Sequence, residues 1–293
     1  MARPDIGARE RELVNSVLDS DVLALGPLAV EFEERLATIA GRRFGISCSS
    51  GTAGLHMIVR SLGIGEGDEV ITTPFSFVAS ANCLLYERAT PRFVDIEPDS
   101  LGLDPAAVAA AAGPDTAGIL AVHVFGRPCR IGELAGMADE RGWHLIEDAC
   151  EALGSSAAGR PMGSFGSASV FAFYPNKQVT TGEGGMVVTD DPDMAEDLRS
   201  LRNQGRDTDG TWLNHVQLGY NDRLDDLSAA IGVGQLERFA ELQAGRARAA
   251  SAYERALAGI DGIELPKAGP EEQVDWFVYV IRLDPALDRD RLM

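Results

Sequence analysis

Residues 165–189, FGSASVFAFYPNKQVTTGEGGMVVT, decide how the rest of the chain is read. The run Ala168–Phe173 is apolar, β-branched and aromatic, the composition of a buried strand. It stops at Tyr174-Pro175-Asn176, where proline removes a ladder donor. Lys177 follows, and then the glycine-rich turn Gly182-Glu183-Gly184-Gly185, after which Met186–Thr189 resumes a strand pattern. A lysine off a strand end, beside apolar walls and under a turn, is placed to form a Schiff base, because desolvation favours the neutral amine that attacks a carbonyl. Within this window alone, a solvated loop lysine explains the pattern equally well.

Working outward, strand and helix patterns alternate. Residues 8–19 and 28–40 carry apolar positions at helical spacing. Phe44–Cys48 reads as a strand, and Ser49-Ser50-Gly51-Thr52-Ala53-Gly54 leads into a helix at Leu55–Leu62. Small residues at such a turn let backbone N–H groups and a hydroxyl converge on an anion; an ordinary serine or threonine N-cap looks the same. Glu69–Thr73 is the next strand, ending in Pro74-Phe75-Ser76-Phe77, where an aromatic can stack on a planar ring or simply fill core. Strands at Pro91–Val94, Gly118–Val124 and Trp143–Ile146 alternate with helices at Val78–Leu85, Asp104–Ala112 and Ile131–Arg141. The last of these strands runs out into Glu147-Asp148-Ala149-Cys150-Glu151. An acid there is costly unless something cationic meets it, so Asp148 either pairs with a protonated ring nitrogen or caps the next turn.

This alternation predicts a mainly parallel, doubly wound α/β sheet, in which ligands bind beyond the carboxyl ends of the strands. Four windows fall there: Ser49–Gly54, Pro74–Phe77, Asp148–Glu151 and Tyr174–Lys177. A phosphate cradle, a stacking aromatic, a carboxylate and an amine together match what pyridoxal 5'-phosphate asks of a protein. Downstream, Asp193–Leu201 reads as a helix, Asp225–Phe239 and the charged run to Leu257 as long helices, and Trp276–Leu283 as a strand. The pattern stops at Asp288–Met293, one turn into a capped helix, so a truncated chain is expected, with a large domain over 1–240 and the start of a small α+β domain over 241–293.

Composition narrows the field. The 293 residues are 45% hydrophobic, and 45 acidic side chains against 26 basic ones give a formal charge of -19. That balance argues against nucleic acid and anionic membranes as partners. Cys48, Cys83, Cys129 and Cys150 are scattered without metal-ligand spacing, so no metal site is expected and buried free thiols in a reducing cytoplasm fit. The charged N-terminus lacks a signal-peptide core, and no apolar run approaches the roughly 18 residues of a span.

In order along the chain, SSGTAGLH, TPFSF, EDACEALG, FYPNKQVTTGEGG and LGYNDRL resemble the StrS/DegT-type sugar aminotransferases, pyridoxal-phosphate enzymes of fold type I, from about residue 8 onward. The resemblance implies a three-layer αβα architecture with a mostly parallel sheet and a smaller C-terminal domain, here incomplete. It implies that Lys177 carries the cofactor as a covalent internal aldimine and shuttles protons, and that Asp148 holds the pyridine nitrogen protonated. Phe77 would stack on the ring, Gly51, Thr52 and Ala53 would bind the phosphate, and Glu151 would lie near the ring hydroxyl. Asn221 and Arg223 would reach the phosphate of a neighbouring subunit, which implies a homodimer with shared sites. Two positions depart from the family pattern: Ala172 stands where a phosphate-binding serine is frequent, and Glu151 where glutamine is.

The expected function is therefore transfer of an amino group, with L-glutamate as donor, to a keto sugar carried by a nucleoside diphosphate. A keto-cyclitol acceptor is an alternative that would need no nucleotide pocket. A non-catalytic, cofactor-binding regulatory protein is disfavoured because Lys177 and Asp148 are both present. A nucleotide-binding Rossmann protein is disfavoured because no G-x-G-x-x-G follows the first strand.

Overall fold

The computed structural model describes residues 3–207 and 213–292. Its elements, in chain order, begin with α1 (Ala8–Leu18), α2 (Pro27–Ile39), β1 (Phe44–Cys48), α3 (Gly51–Ser61), β2 (Glu69–Thr72), α4 (Ala79–Tyr86), β3 (Thr90–Phe93), α5 (Pro105–Ala111), β4 (Thr116–Val122), α6 (Ile131–Arg141) and β5 (His144–Asp148). A small hairpin, β6 (Ser156–Ala157) and β7 (Arg160–Pro161), precedes β8 (Ala168–Ala172), β9 (Gly185–Thr189), α7 (Pro192–Arg202), α8 (Asp226–Glu237) and α9 (Phe239–Leu257). Last come β10 (Ile263–Glu264), β11 (Glu272–Gln273), β12 (Arg282–Leu283) and α10 (Arg289–Leu292).

Seven strands form one sheet in the order β1-β9-β8-β5-β4-β2-β3. All pairings from β3 across to β8 are parallel, and β9 alone runs against its neighbours β8 and β1. Adjacent strand residues feed opposite cores, as a strand's alternation requires. Ile71, Ile119, Phe171 and Val188 pack with α1, α2, α6 and α8 through Leu13, Phe32, Leu134 and Val233. Val70, Leu120, Val170 and Val187 pack with α3, α4 and α7 through Ile58, Leu84 and Leu198. Helices on both faces make the three-layer αβα architecture, and continuous burial explains why the central strands read as apolar runs.

Helix boundaries follow local chemistry. Ser50 caps α3, Asp104 caps α5, Asp191 caps α7 and Asp225 caps α8, each accepting a main-chain N–H of the first turn. α3 consequently begins at Gly51, four residues before the apolar run at Leu55 that marks it in the sequence. The strand expected over Trp276–Leu283 is not formed: only Arg282 and Leu283 pair, with β10. The preceding main chain is occupied by side chains instead of a ladder. Ser155 Oγ accepts from Asp275 N at 2.8 Å, and Arg246 Nη1 donates to Trp276 O and Phe277 O at 3.1 and 3.0 Å.

One buried polar cluster braces the sheet's carboxyl edge. Glu147 is fully buried and accepts from His123 Nε2, Gly163 N, Phe165 N and Ser169 Oγ at 2.9, 2.9, 2.6 and 2.7 Å. Cys129 N–H points at His123 Nδ1, so the proton of the ring sits on Nε2 and goes to Glu147. Burial works to raise the Glu147 carboxyl, but the His123 hydrogen bond and the other donors outweigh it and hold the group below its ordinary value. That contribution is present above the unfolded carboxyl's pKa, about 4.3, and is lost as pH falls through the lower folded value. Glu147→Leu strands the His123, Gly163 and Phe165 N–H donors in a dry interior, while Ser169 Oγ can turn to Gly163 O at 2.9 Å, and urea unfolding at neutral pH is expected to show a loss of about 3–5 kcal/mol.

Candidate active site

The carboxyl ends of β4, β5 and β8 open into a cavity of about 730 Å³, closed on one side by the start of α3 and on another by the turn before β9. Strand register sets the first fixed point: Val122 pairs with Asp148, and Asp148 with Val170. Asp148 is the last residue of β5 and only 7% exposed. Its Oδ2 accepts from Ser80 Oγ at 2.7 Å, and Oδ1 from Cys150 N at 3.3 Å. Ser80, in the first turn of α4, is in turn bonded to Ser76 Oγ at 2.7 Å. The carboxylate is thus anchored from behind and keeps lone pairs for a donor in the cavity.

Lys177 is the second fixed point. The turn Tyr174–Lys177 closes with Lys177 N donating to Tyr174 O at 2.9 Å. Lys177 Nζ lies 3.2 Å from Glu151 Oε1 and 4.5 Å from the centre of the Phe277 ring. Glu151 Oε2 accepts from Phe125 N at 2.8 Å, and Phe125 has a φ of 61°, a region that side chains other than glycine rarely adopt. Glu151 therefore does two things: it steadies a strained backbone and meets the lysine ammonium. The chain contains two lysines, and the other, Lys267, is exposed on a separate surface.

The third fixed point is the N-terminus of α3. Ser50 Oγ takes the Ala53 N–H at 3.1 Å, which leaves Gly51 and Thr52 as the main-chain donors facing the cavity. Gly51 cannot be replaced cheaply: a Cβ there would stand 2.8 Å from Cys150 Sγ and 2.9 Å from Ala172 Cβ. Gly182, at φ 89°, supplies the left-handed turn that returns the chain to β9 beside this helix.

The cavity wall thus brings together Gly51, Thr52, Phe77, Asp148, Glu151 and Lys177. Phe77 stands at its mouth with 74% of its surface exposed. Ala53, expected beside Gly51 and Thr52, is outside the wall, its N–H committed to the Ser50 cap. Asn221 and Arg223 are also outside it within one chain: Arg223 Nη1 donates to Asn203 Oδ1 at 2.9 Å, and Asn221 pairs with Asn203. Their loop is nonetheless docked on the cavity's shoulder, through Ser49 N donating to Asp222 O at 2.8 Å. Cys48, Cys83 and Cys129 are buried free thiols, and Cys150 reaches the cavity wall. Ser80, Phe125 and Phe277 carry no mark in the sequence, since each arrives from a distant element.

A buried carboxylate anchored opposite a lysine, a helix N-terminus with free N–H groups and an exposed aromatic form a site of the kind that takes a phosphorylated, aldehyde-bearing aromatic cofactor. The chain belongs to the DegT/DnrJ/EryC1/StrS aminotransferase family, whose sequence profile matches residues 4–293. That family is dependent on pyridoxal phosphate. The chain is 36% identical to GDP-perosamine synthase of Caulobacter vibrioides over 293 residues, covering 99% of this chain and 79% of that one. Among solved structures it superposes on DesI, crystallised in the presence of its TDP-sugar product, with a TM-score of 0.92 and 38% identity over 99% of this chain and 74% of that one. It also superposes on DesV of S. venezuelae, in complex with a ketimine intermediate, with a TM-score of 0.92 and 34% identity over all of this chain and 80% of that one. Among the described residues, no helix is long and apolar enough to cross a membrane.

Proposed function

We propose that this protein is an aminotransferase that converts a nucleoside-diphosphate keto sugar to an amino sugar, with L-glutamate as donor and pyridoxal phosphate held by Lys177. The observation that carries the proposal is the convergence of Lys177 Nζ, the anchored Asp148 carboxylate and the α3 N-terminus on one cavity. Its volume is within the range of small-molecule and cofactor sites, roughly 300–1,000 Å³.

The donor set fits the cofactor. When bound, pyridoxal phosphate supplies an aldehyde for an amine to join and a ring that withdraws electrons from the reacting carbon. Gly51 and Thr52 N–H groups, at the positive end of α3, would hold the phosphate. Asp148, fixed by Ser80 and Cys150, would favour a proton on the cofactor's ring nitrogen, because a carboxylate in a dry setting strongly favours a cationic partner. Lys177 Nζ would hold the cofactor's aldehyde covalently and would serve as the base that moves the donor's α-proton. Glu151, 3.2 Å from Lys177 Nζ, would receive the ammonium and would accept a hydrogen bond from the cofactor's hydroxyl. Phe77, at the cavity mouth, would cover the cofactor's ring face and exclude water.

Two further parts belong to this proposal. One is a homodimer in which Asn221 and Arg223 serve the partner's phosphate, supported by their position outside the chain's own cavity and by the exposed aromatics Phe75, Phe77 and Tyr174 at its mouth. The other is the division at about residue 240, supported by α9, in which Ala250 alone is buried.

The test is optical. The purified protein with pyridoxal phosphate is expected to show a visible band that is bleached by L-glutamate and restored by a nucleoside-diphosphate keto sugar. A band untouched by any amino donor would refute the aminotransferase reading, and restoration by keto-cyclitols alone would refute the substrate.

A further inference from the structure

Behind Lys177, on the side away from the cavity, three main-chain carbonyls converge. They belong to Lys177 itself and to Trp276 and Phe277, in the irregular segment that replaces the expected strand. None lies in a helix or a ladder. Three carbonyl dipoles aimed at one partly buried point repel one another unless a cation stands between them. That cation is Arg246 of α9. Its Nη2 donates to Lys177 O at 2.7 Å, while Nη1 donates to Trp276 O and Phe277 O at 3.1 and 3.0 Å.

The consequence reaches the amine. Phe277 is 8% exposed, and its ring carries Lys177 Nζ 4.5 Å from its centre. The two ends of the lysine are therefore set by one side chain: Arg246 grips its main chain directly and the platform under its ammonium through Phe277. Neighbouring contacts close the same junction. Gln178 Nε2 donates to Glu151 O and, at 3.3 Å, to Asp275 O; Ser155 Oγ spans Gly126 O and Asp275 N at 2.7 and 2.8 Å. These bonds tie the Glu151 end of the site to the segment that Arg246 holds.

We propose that Arg246 is a positioning residue for Lys177: its guanidinium joins the Lys177 main chain to Trp276 and Phe277 and so fixes the reactive amine between the Phe277 ring and Glu151. The proposal rests on the reading of Lys177 as the cofactor-bearing amine. A planar fork with donors pointing in fixed, separate directions is what the three carbonyls require. An ammonium at the same place keeps the charge and loses the directions.

The test compares the holoenzymes of R246Q, R246K, K177A and R248Q, the last removing an exposed arginine on the same helix. Folding is followed by thermal melting, and the site by the pH titration of the visible band, the rate of cofactor release, kcat and KM. R246Q is expected to lower kcat by about 10- to 100-fold, the scale of a reacting group displaced by a fraction of an ångström to an ångström, with KM for glutamate within about threefold. Its spectral midpoint should move by at least about half a pH unit, and cofactor should leave faster. R246K should lie between R246Q and wild type, and R248Q should match wild type. If R246Q does not fold, R246K decides on the same readouts.

A folded R246Q (or, in its place, R246K) with wild-type midpoint, release rate and kcat overturns the positioning role, whatever its melting temperature. When K177A has lost the band in the same series, that outcome leaves the aminotransferase reading standing. A wild-type protein with no lysine-dependent band overturns both.

Discussion

Lys177→Ala is expected to give a folded protein with no covalently attached cofactor and with amine transfer reduced by at least about 10³-fold, the upper part of the range for losing a positioned acid–base group. Folding should survive because the Lys177–Glu151 pair is reached by solvent, with side-chain exposures of 14% and 28%. No second amine is available to take over: Lys267 is the chain's other lysine, and it is exposed among residues that line a different cleft. Addition of a small primary amine such as ethylamine should restore part of the activity, because the missing proton acceptor is then supplied from solution. Activity of K177A near wild type without added amine would show that Lys177 is not the reacting group.

Asp148→Asn is the second large effect. Asparagine keeps the shape and one acceptor for Ser80 Oγ, so the cost to folding is small beside that of emptying the position. What disappears is the negative charge facing the cavity. A charge-assisted hydrogen bond contributes about 1.5–3 kcal/mol more than none, so both kcat and cofactor affinity are expected to fall by about 10- to 100-fold. The visible band should titrate differently from wild type, since the ring nitrogen has lost its anionic partner. Unchanged kcat and cofactor affinity in D148N would remove Asp148 from the site. Because Ser80 orients this carboxylate from 2.7 Å, its replacement acts in the same direction and more weakly.

Much of this geometry was legible in the sequence because it depends on short-range chemistry. Central strands buried on both faces must be apolar, so 118–122, 168–172 and 186–188 announce themselves, as does an acid at a strand's exit. Ser50 followed by small residues marks a cap, although the cap also moves the helix start back to Gly51, before the apolar run. The aromatic, β-branched stretch 276–281 has strand composition, yet the carbonyls of Trp276 and Phe277 go to Arg246, and the N–H of Asp275 just before it goes to Ser155. Local pattern cannot report that, because both side chains come from elsewhere in the chain. The same holds within the site. Ser80, Phe125 and Phe277 acquire their roles when β2, β4 and the C-terminal segment are brought beside β5 and β8. Glu151 is visible as a departure from the family's frequent glutamine, but its support of the Phe125 backbone follows only from the fold.

The most direct measurement is chemical. Reduction of the holoenzyme with borohydride fixes the cofactor to whichever amine carries it, and peptide mass spectrometry then locates the adduct. With two lysines in the chain, the outcome is unambiguous. The expected result is a single phosphopyridoxyl group on the peptide containing Lys177 and an unmodified Lys267. An adduct at Lys267, or none on a protein that still transfers amine, would contradict the site described.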